Sequence, residues 1–415
     1  LHDALPRSEE RRVGKECISL SVLMESHPKV SFDNLENSFA FRSDREIQRA
    51  YWLFKAISYP ALVKVGSNLA TASLRYHLPV KGLIKATIFK HFCGGEDIHD
   101  CARTIERLGR LGVGSILDYS VEGKEEEVEF DHSCEEILAT VRRAKGDPNI
   151  PFSVFKVTGL ARFALLEKVS AGNTLNSEEA AEFSRIKDRV RRICEEGYKL
   201  GVRVFIDAEE SWIQPAIDEL ATSMMERYNT EACLIYNTIQ LYRHDRLDFL
   251  RNAHQKAISG GYYLGLKLVR GAYMEKERDR AEANGYASPI NADKAGSDRE
   301  YNDALRYCVE HIDRIHICAG THNEKSSQLL MALMAEKGIS PDDERIYFSQ
   351  LLGMSDHISF NLAKAGYRVA KYVPYGPVSA VLPYLTRRAQ ENTSIAGQTG
   401  RELSLLLAER KRRKG

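Results

Sequence analysis

From about residue 110 onward the chain alternates between short apolar runs rich in β-branched residues and long amphipathic stretches. The runs are VGSILDYS (113–120), FSVFKVT (152–158), RVFIDAEE (203–210), CLIYNTI (233–239), YYLGLKLVRGAY (262–273), IHICAGTHN (315–323), IYFSQLL (346–352) and YRVAKYV (367–373). Each has the length and composition of a buried strand. The stretches between them carry apolar residues at three- and four-residue spacing. In 177–200, Asn176 or Ser177 supplies an N-cap, with Glu178 and Glu179 in the first turn. Eight strand–helix units predict an α/β fold, a (β/α)8 TIM-like barrel. An open doubly wound sheet shares the alternation, but the count of eight and the lack of an early GxGxxG favour the barrel. Ahead of it, Ile47, Ala50, Tyr51, Phe54 and Ile57, then Leu62, Val65 and Leu69, recur with helical spacing. The organisation expected is an N-terminal helical region at 18–110, then a catalytic barrel at 111–415 with a C-terminal helix over its mouth.

Composition narrows the function. Of 415 residues 43% are hydrophobic, and 59 Lys+Arg face 58 Asp+Glu, which fits a globular chain and gives no electrostatic case for nucleic-acid binding. The eight Cys form no CxxC pair, so neither a zinc site nor a disulfide framework is indicated, and a reducing compartment is the simpler setting. No apolar stretch reaches the ~20 residues of a membrane span, and the start lacks the apolar core of a signal peptide. The segment RSEERRVGKEC (7–17) reads like a translated sequencing adapter, so residues 1–17 are set aside as a non-native segment.

In a barrel the chemistry gathers at the C-terminal ends of the strands. Those ends offer Lys156, Asp207 with Glu209, Asn237 with Gln240, Lys267 with Arg270, His322 with Asn323, Gln350, and Lys371 with Tyr372. After the eighth strand, LPYLTRRAQEN (382–392) sets Arg387 and Arg388 within one helical turn of Glu391. Alone, such a triplet is most often a surface ion pair. At the mouth of a barrel, paired guanidinium groups suit a bidentate grip on an anionic substrate. The stretch GLKLVRGAYMEKER (265–278) places basic groups beside small residues that let a flat ligand approach the backbone. Asp207 and His322 raise a metal-hydrolase alternative, but the first strand has no HxH pair and no metal site is expected. Nucleophilic catalysis lacks a GxSxG.

Taken in order, DAEE (207–210), KLVRGAY (267–273), THN (321–323), QLLGMSD (350–356) and KYVPYGPVSAVLPYLTRRAQEN (371–392) resemble the flavin-dependent proline dehydrogenase family. The resemblance runs from about residue 30 to the C-terminus. It implies that the (β/α)8 barrel is distorted, with FAD held noncovalently across the mouth and L-proline oxidised to 1-pyrroline-5-carboxylate, and with reduced flavin reoxidised by a membrane quinone. It also implies that a separate pyrroline-5-carboxylate dehydrogenase acts downstream, and that the protein sits in the cytoplasm or peripherally on the inner membrane, mitochondrial in a eukaryote.

Carried over residue by residue, the resemblance gives Arg387, Arg388 and Lys156 the proline carboxylate, with Glu391 fixing the arginines. Asp207 joins that polar site, and Tyr273, Leu351 and Tyr372 wall the ring. Lys267, Val269, Arg270, Gly271, Ala272, Asn237, Gln240, Thr321 and His322 fall to the flavin. Bacterial relatives often carry Arg then Lys where this chain has Lys267 then Arg270, and Gln at Asn237. Tyr372 in place of a small Ser favours proline over hydroxyproline, and Glu122 is expected to gate the site by pairing with Arg387. The tail LSLLLAERKRRKG (403–415) is compatible with contact to an anionic membrane or with a helix ending in basic residues that suit its dipole. A non-catalytic barrel that senses proline is the alternative from another class.

Overall fold

All eight predicted strands form, and they close on themselves. In the computed structural model, which describes residues 30–59, 81–121, 123–394 and 398–414, β1 (Val113–Tyr119), β2 (Phe152–Lys156), β3 (Arg203–Asp207), β4 (Ile235–Gln240), β5 (Leu264–Val269), β6 (Ile315–Gly320), β7 (Ile346–Leu351) and β8 (Val369–Tyr375) make a closed barrel in sequence order. Every pairing is parallel, and β1 seals against β8 from Val113↔Val369 to Tyr119↔Tyr375.

Helices precede and cover the barrel: α1 (Leu35–Phe39), α2 (Asp44–Ile57), α3 (Ala102–Gly109), α4 (Glu127–Ala144), α5 (Phe163–Ser170), α6 (Ser177–Leu200), α7 (Gln214–Tyr228), α8 (Arg246–Gly260), α9 (Met274–Asn284), α10 (Lys294–Glu310), α11 (Glu324–Glu336), α12 (Asp356–Lys364), α13 (Leu382–Ser394) and α14 (Gln398–Arg412). Local chemistry sets several of their ends. Asn176 caps α6 in a reciprocal capping box with Glu179, and Gly201 ends the helix at φ 67°, a left-handed value that Gly adopts without strain. Ser43 and Glu46 make the same box at the start of α2.

Strand alternation divides the side chains into two layers. Ile116, Phe152, Val154, Phe205, Tyr236, Tyr347 and Tyr372 fill the barrel interior, where Phe152 stacks on Phe205 at 4.2 Å. The alternate residues Leu117, Val204, Ile206, Ile235, Ile239, Leu266 and Leu268 face the helices in the largest core. Each fully buried side chain of this size contributes roughly 1.5–3 kcal/mol relative to exposure.

A further cluster joins the two ends of the chain. Ile47, Ala50, Phe54 and Ile57 of α2 pack with Leu382 and Leu385 of α13 and with Leu405 and Leu406 of α14. The N-terminal helices therefore brace the helix that carries Arg387 and Arg388. This packing also turns part of the tail's apolar side inward. Leu405 and Leu406 are 4% and 1% exposed against the protein itself, while Arg413 pairs with Glu409 at 2.6 Å and Asp44 at 2.7 Å. Leu62, Val65, Leu69 and residues 1–17 lie outside the described residues.

Candidate active site

The strand exits that face the barrel axis converge on one polar cluster. Lys267 on β5 donates through Nζ to Asp207 Oδ1 on β3, and to the Tyr372 hydroxyl on β8 at 2.6 Å. The Tyr372 hydroxyl in turn donates to Asp207 Oδ1 at 3.3 Å. Lys267, Asp207 and Tyr372 are 5%, 8% and 7% exposed, so the cation lies over the Tyr372 ring, 4.5 Å from its centroid, in a nearly dry setting. Burying Lys267 is tolerable because its charge is paired and hydrogen-bonded.

Lys156 closes β2 in register beside Asp207, with Nζ 3.9 Å from Asp118 Oδ2 at the exit of β1. Asp118 also accepts from the Ser120 hydroxyl at 2.7 Å. The sequence reading passed over Asp118, yet its even spacing from Ile116, a barrel-interior residue, was the available signal.

Gln240 closes β4 on the same inner face. Its Nε2 donates to the Glu209 carbonyl at 2.9 Å, while its buried Oε1 has no hydrogen-bond partner. Asn237 does not share this face and is corrected here. Tyr236 points into the barrel and Ile235 and Ile239 point out, so Asn237 points out with them. There its Nδ2 donates to Asp218 Oδ1 of α7 at 2.8 Å, and its Oδ1 accepts from Thr238 N at 2.8 Å. Gln350 and Lys371 also lie on outward positions. Gln350 bonds Ser359 of α12 at 2.7 Å, and Lys371 pairs with Asp356 at 2.9 Å. Burial alone would raise the Asp356 carboxyl, but Arg42 and Lys371 hold it well below the usual carboxylate range.

Beyond β5 the backbone of Gly271 runs at φ 137°, and a Cβ there would lie 2.3 Å from the Tyr242 ring. Only Gly fits, and Gly271 and Ala272 are both exposed. Val269 lines this side, against the strand neighbour Gly320. Arg270 turns aside between α10 and α11, where its guanidinium bonds Asp298 at 2.8 Å, Thr321 Oγ1 at 2.8 Å and Ser326 Oγ at 2.9 Å and stacks on Tyr301. Three of its five N–H donors are thereby engaged.

His322, after β6, holds Ser355 Oγ at 2.9 Å through Nδ1. Burial, then the charges of Lys371 and Arg388, push its pKa down to about 3, so the ring is neutral at any working pH. Ser355 sits at φ 49°, the one described non-glycine residue with positive φ, and its N–H donates to the Glu402 carboxylate of α14 at 2.5 Å.

Over this mouth lies α13. Arg387 Cζ is 6.0 Å from the Tyr273 ring, and Arg388, 9% exposed, is 5.3 Å from the Tyr384 ring. Leu351 bridges the barrel interior and the cluster under α13. The Glu391 side chain and Glu122 lie outside the described residues. Glu209, noted only as a neighbour of Asp207, is 3% exposed and accepts from Thr158 N at 3.0 Å and from the Thr158 hydroxyl. Burial pushes its carboxyl up to about 7, against the pull of Thr158 and Lys156.

Known proteins resemble this chain along most of its length. The proline dehydrogenase family profile matches residues 101–401. The mitochondrial proline dehydrogenase 1 of Arabidopsis thaliana is 30% identical over 94% of this chain and 87% of its own. The carbapenem antibiotics biosynthesis protein CarD of Pectobacterium carotovorum is 35% identical over 80% and 86%. The hydroxyproline dehydrogenase of Xenopus laevis is 32% identical over 90% and 88%. Among solved structures, proline utilization A from Bdellovibrio bacteriovorus, inactivated by N-propargylglycine, superposes with a TM-score of 0.69 at 22% identity, covering 97% of this chain and 44% of that longer one. The solved structure shares the barrel fold, and by the family profile and the relatives at 30% identity or more the protein belongs to the proline dehydrogenase family.

Proposed function

We propose that the protein oxidises L-proline to 1-pyrroline-5-carboxylate using FAD bound across the barrel mouth. The observation that carries the reading is the buried Lys267–Asp207–Tyr372 cluster at the strand exits, roofed by a helix bearing Arg387 and Arg388.

A flavin fits the residues present. Gln240 Oε1 is a buried acceptor without a donor among the described residues, and an N–H on the edge of a flavin ring would satisfy it. Gly271 and Ala272 leave an exposed approach with no side chain beyond a methyl group, and Val269, Thr321 and His322 would line the flavin. Lys267 would lie beside the ring's reactive edge, where its charge offsets the negative charge that reduction brings. When bound, FAD supplies the hydride acceptor.

The chain's own residues do the rest. Arg387 and Arg388 take the proline carboxylate, with Glu391 fixing their geometry and Lys156 as a further contact. Tyr273, Leu351 and Tyr372 wall the apolar ring and exclude water. Held so, the carbon next to nitrogen is aligned for hydride loss as the amine lone pair forms the imine. The Tyr372 hydroxyl is anchored to Lys267 at 2.6 Å, which leaves its phenol unable to swing away from a substrate hydroxyl. Proline is thereby preferred over hydroxyproline. Electrons leave to a quinone, and a separate dehydrogenase consumes the product. Contact with a quinone-bearing membrane would use surfaces other than the Leu405–Leu406 stripe.

The test is an anaerobic absorbance spectrum of the FAD-loaded protein before and after L-proline. Bleaching of the flavin band is expected in the wild type, and in Arg388→Met only at far higher proline with FAD still bound. A bound flavin that proline leaves unbleached overturns the substrate, and folded protein that takes up no flavin favours a non-catalytic barrel.

A further inference from the structure

Lys156 is aimed by the turn that follows it. The 3-10 turn Val157–Gly159 starts directly after Lys156, and its middle residue, Thr158, gives both its backbone N–H and its hydroxyl to the two oxygens of Glu209. Glu209 is itself fixed. Its N–H donates to Gln214 Oε1 of α7 at 2.8 Å, and its carbonyl accepts from Gln240 Nε2 of β4 at 2.9 Å. A residue tied through its backbone to α7 and β4 thus holds, through its carboxylate, the turn that directly follows Lys156.

We propose that Glu209 is a positioning residue for substrate binding, holding the Val157–Gly159 turn through Thr158 so that Lys156 meets the substrate carboxylate. The inference rests on the proposed substrate. The two-oxygen grip explains why a carboxylate is buried here: one oxygen takes the N–H and the other the hydroxyl, which fixes the turn in rotation as well as distance. Asp118, 3.9 Å from the Lys156 ammonium, draws it toward β1, and the turn sets how far that pull can move it.

The experiment measures kcat and KM for L-proline, and the Kd of tetrahydro-2-furoate, a five-membered ring carboxylate with no amine to oxidise. It uses Glu209→Ala, Glu209→Gln, Lys156→Ala and the Ala/Ala double variant. Loss of the grip displaces a contact group by a fraction of an ångström, so KM and Kd should rise about tenfold in Glu209→Ala with kcat within about twofold. Glu209→Gln should recover most of the loss, because its carbonyl accepts the Thr158 N–H and its amide donates to the Thr158 hydroxyl. The double variant should be no weaker than Lys156→Ala alone, since Glu209 acts through that lysine. Unchanged KM and Kd in Glu209→Ala, or additive losses in the double variant, would overturn the inference. If Glu209→Ala does not fold, Thr158→Val serves, with a rise in KM of about threefold that vanishes in the Lys156→Ala background. Wild-type protein that neither bleaches with proline nor binds the analogue fails at the substrate, whereas a wild type that does both with indifferent Glu209 variants fails only here.

Discussion

Replacing Lys267 with Met tests the centre of the mouth. The two side chains are close in volume, so the perturbation is removal of a charge rather than a cavity. In the wild type the ammonium pairs with Asp207 and donates to the Tyr372 hydroxyl at 2.6 Å, all three residues being under 9% exposed. Without it, the Asp207 carboxylate keeps, among the described residues, the weaker 3.3 Å bond from Tyr372. Removing one partner of a buried pair costs about 3–5 kcal/mol, because the remaining charge stays desolvated. Removing both charges, as in Asp207→Asn with Lys267→Met, should cost less than either single change, giving a coupling energy of more than about 3 kcal/mol. The assay is urea unfolding followed by circular dichroism and fluorescence, with midpoints compared at constant slope. A single substitution costing under about 1 kcal/mol, or a double equal to the sum of the singles, would refute the reasoning that the lysine is held by this pair.

Other expectations are as direct. Asn237→Ala should cost about 1 kcal/mol by removing one donor from Asp218, which keeps its bonds from Gln214 and Arg246, yet leave flavin affinity within about twofold; a large loss of flavin would return Asn237 to the mouth. Tyr372→Ser should raise the ratio of hydroxyproline to proline efficiency by about tenfold or more, and comparable efficiencies in the wild type would contradict the steric reading. Glu209 has a folded pKa of about 7 against 4.5 for the free group, so its stabilising contribution is full below pH 4.5 and lost as pH rises through 7. Glu209→Gln should therefore gain on the wild type by up to about 3 kcal/mol between pH 5 and 8 in unfolding experiments, and parallel stability curves would rule this out.

The sequence by itself determined the sequence-local features. β-branched runs bounded by turn residues marked all eight strands, and Asn176 with Glu179 marked the start of α6, because strand and capping preferences act over a few residues. The basic pair on α13 and the small-residue turn after β5 were legible for the same reason. Only the tertiary structure decided which way the strand residues faced. Barrel strands are buried on both sides, so Asn237 and Gln240 both sit among apolar neighbours and hydrophobicity cannot say which one meets the axis. Closure of the barrel settles it, and brings Lys267 against Asp207 and Tyr372, which lie 60 and 105 residues away along the chain. The same holds for α2 bracing α13 and α14, and for Glu209 beneath the Lys156 turn. Such contacts depend on chain closure and packing across distant segments, which no local pattern encodes.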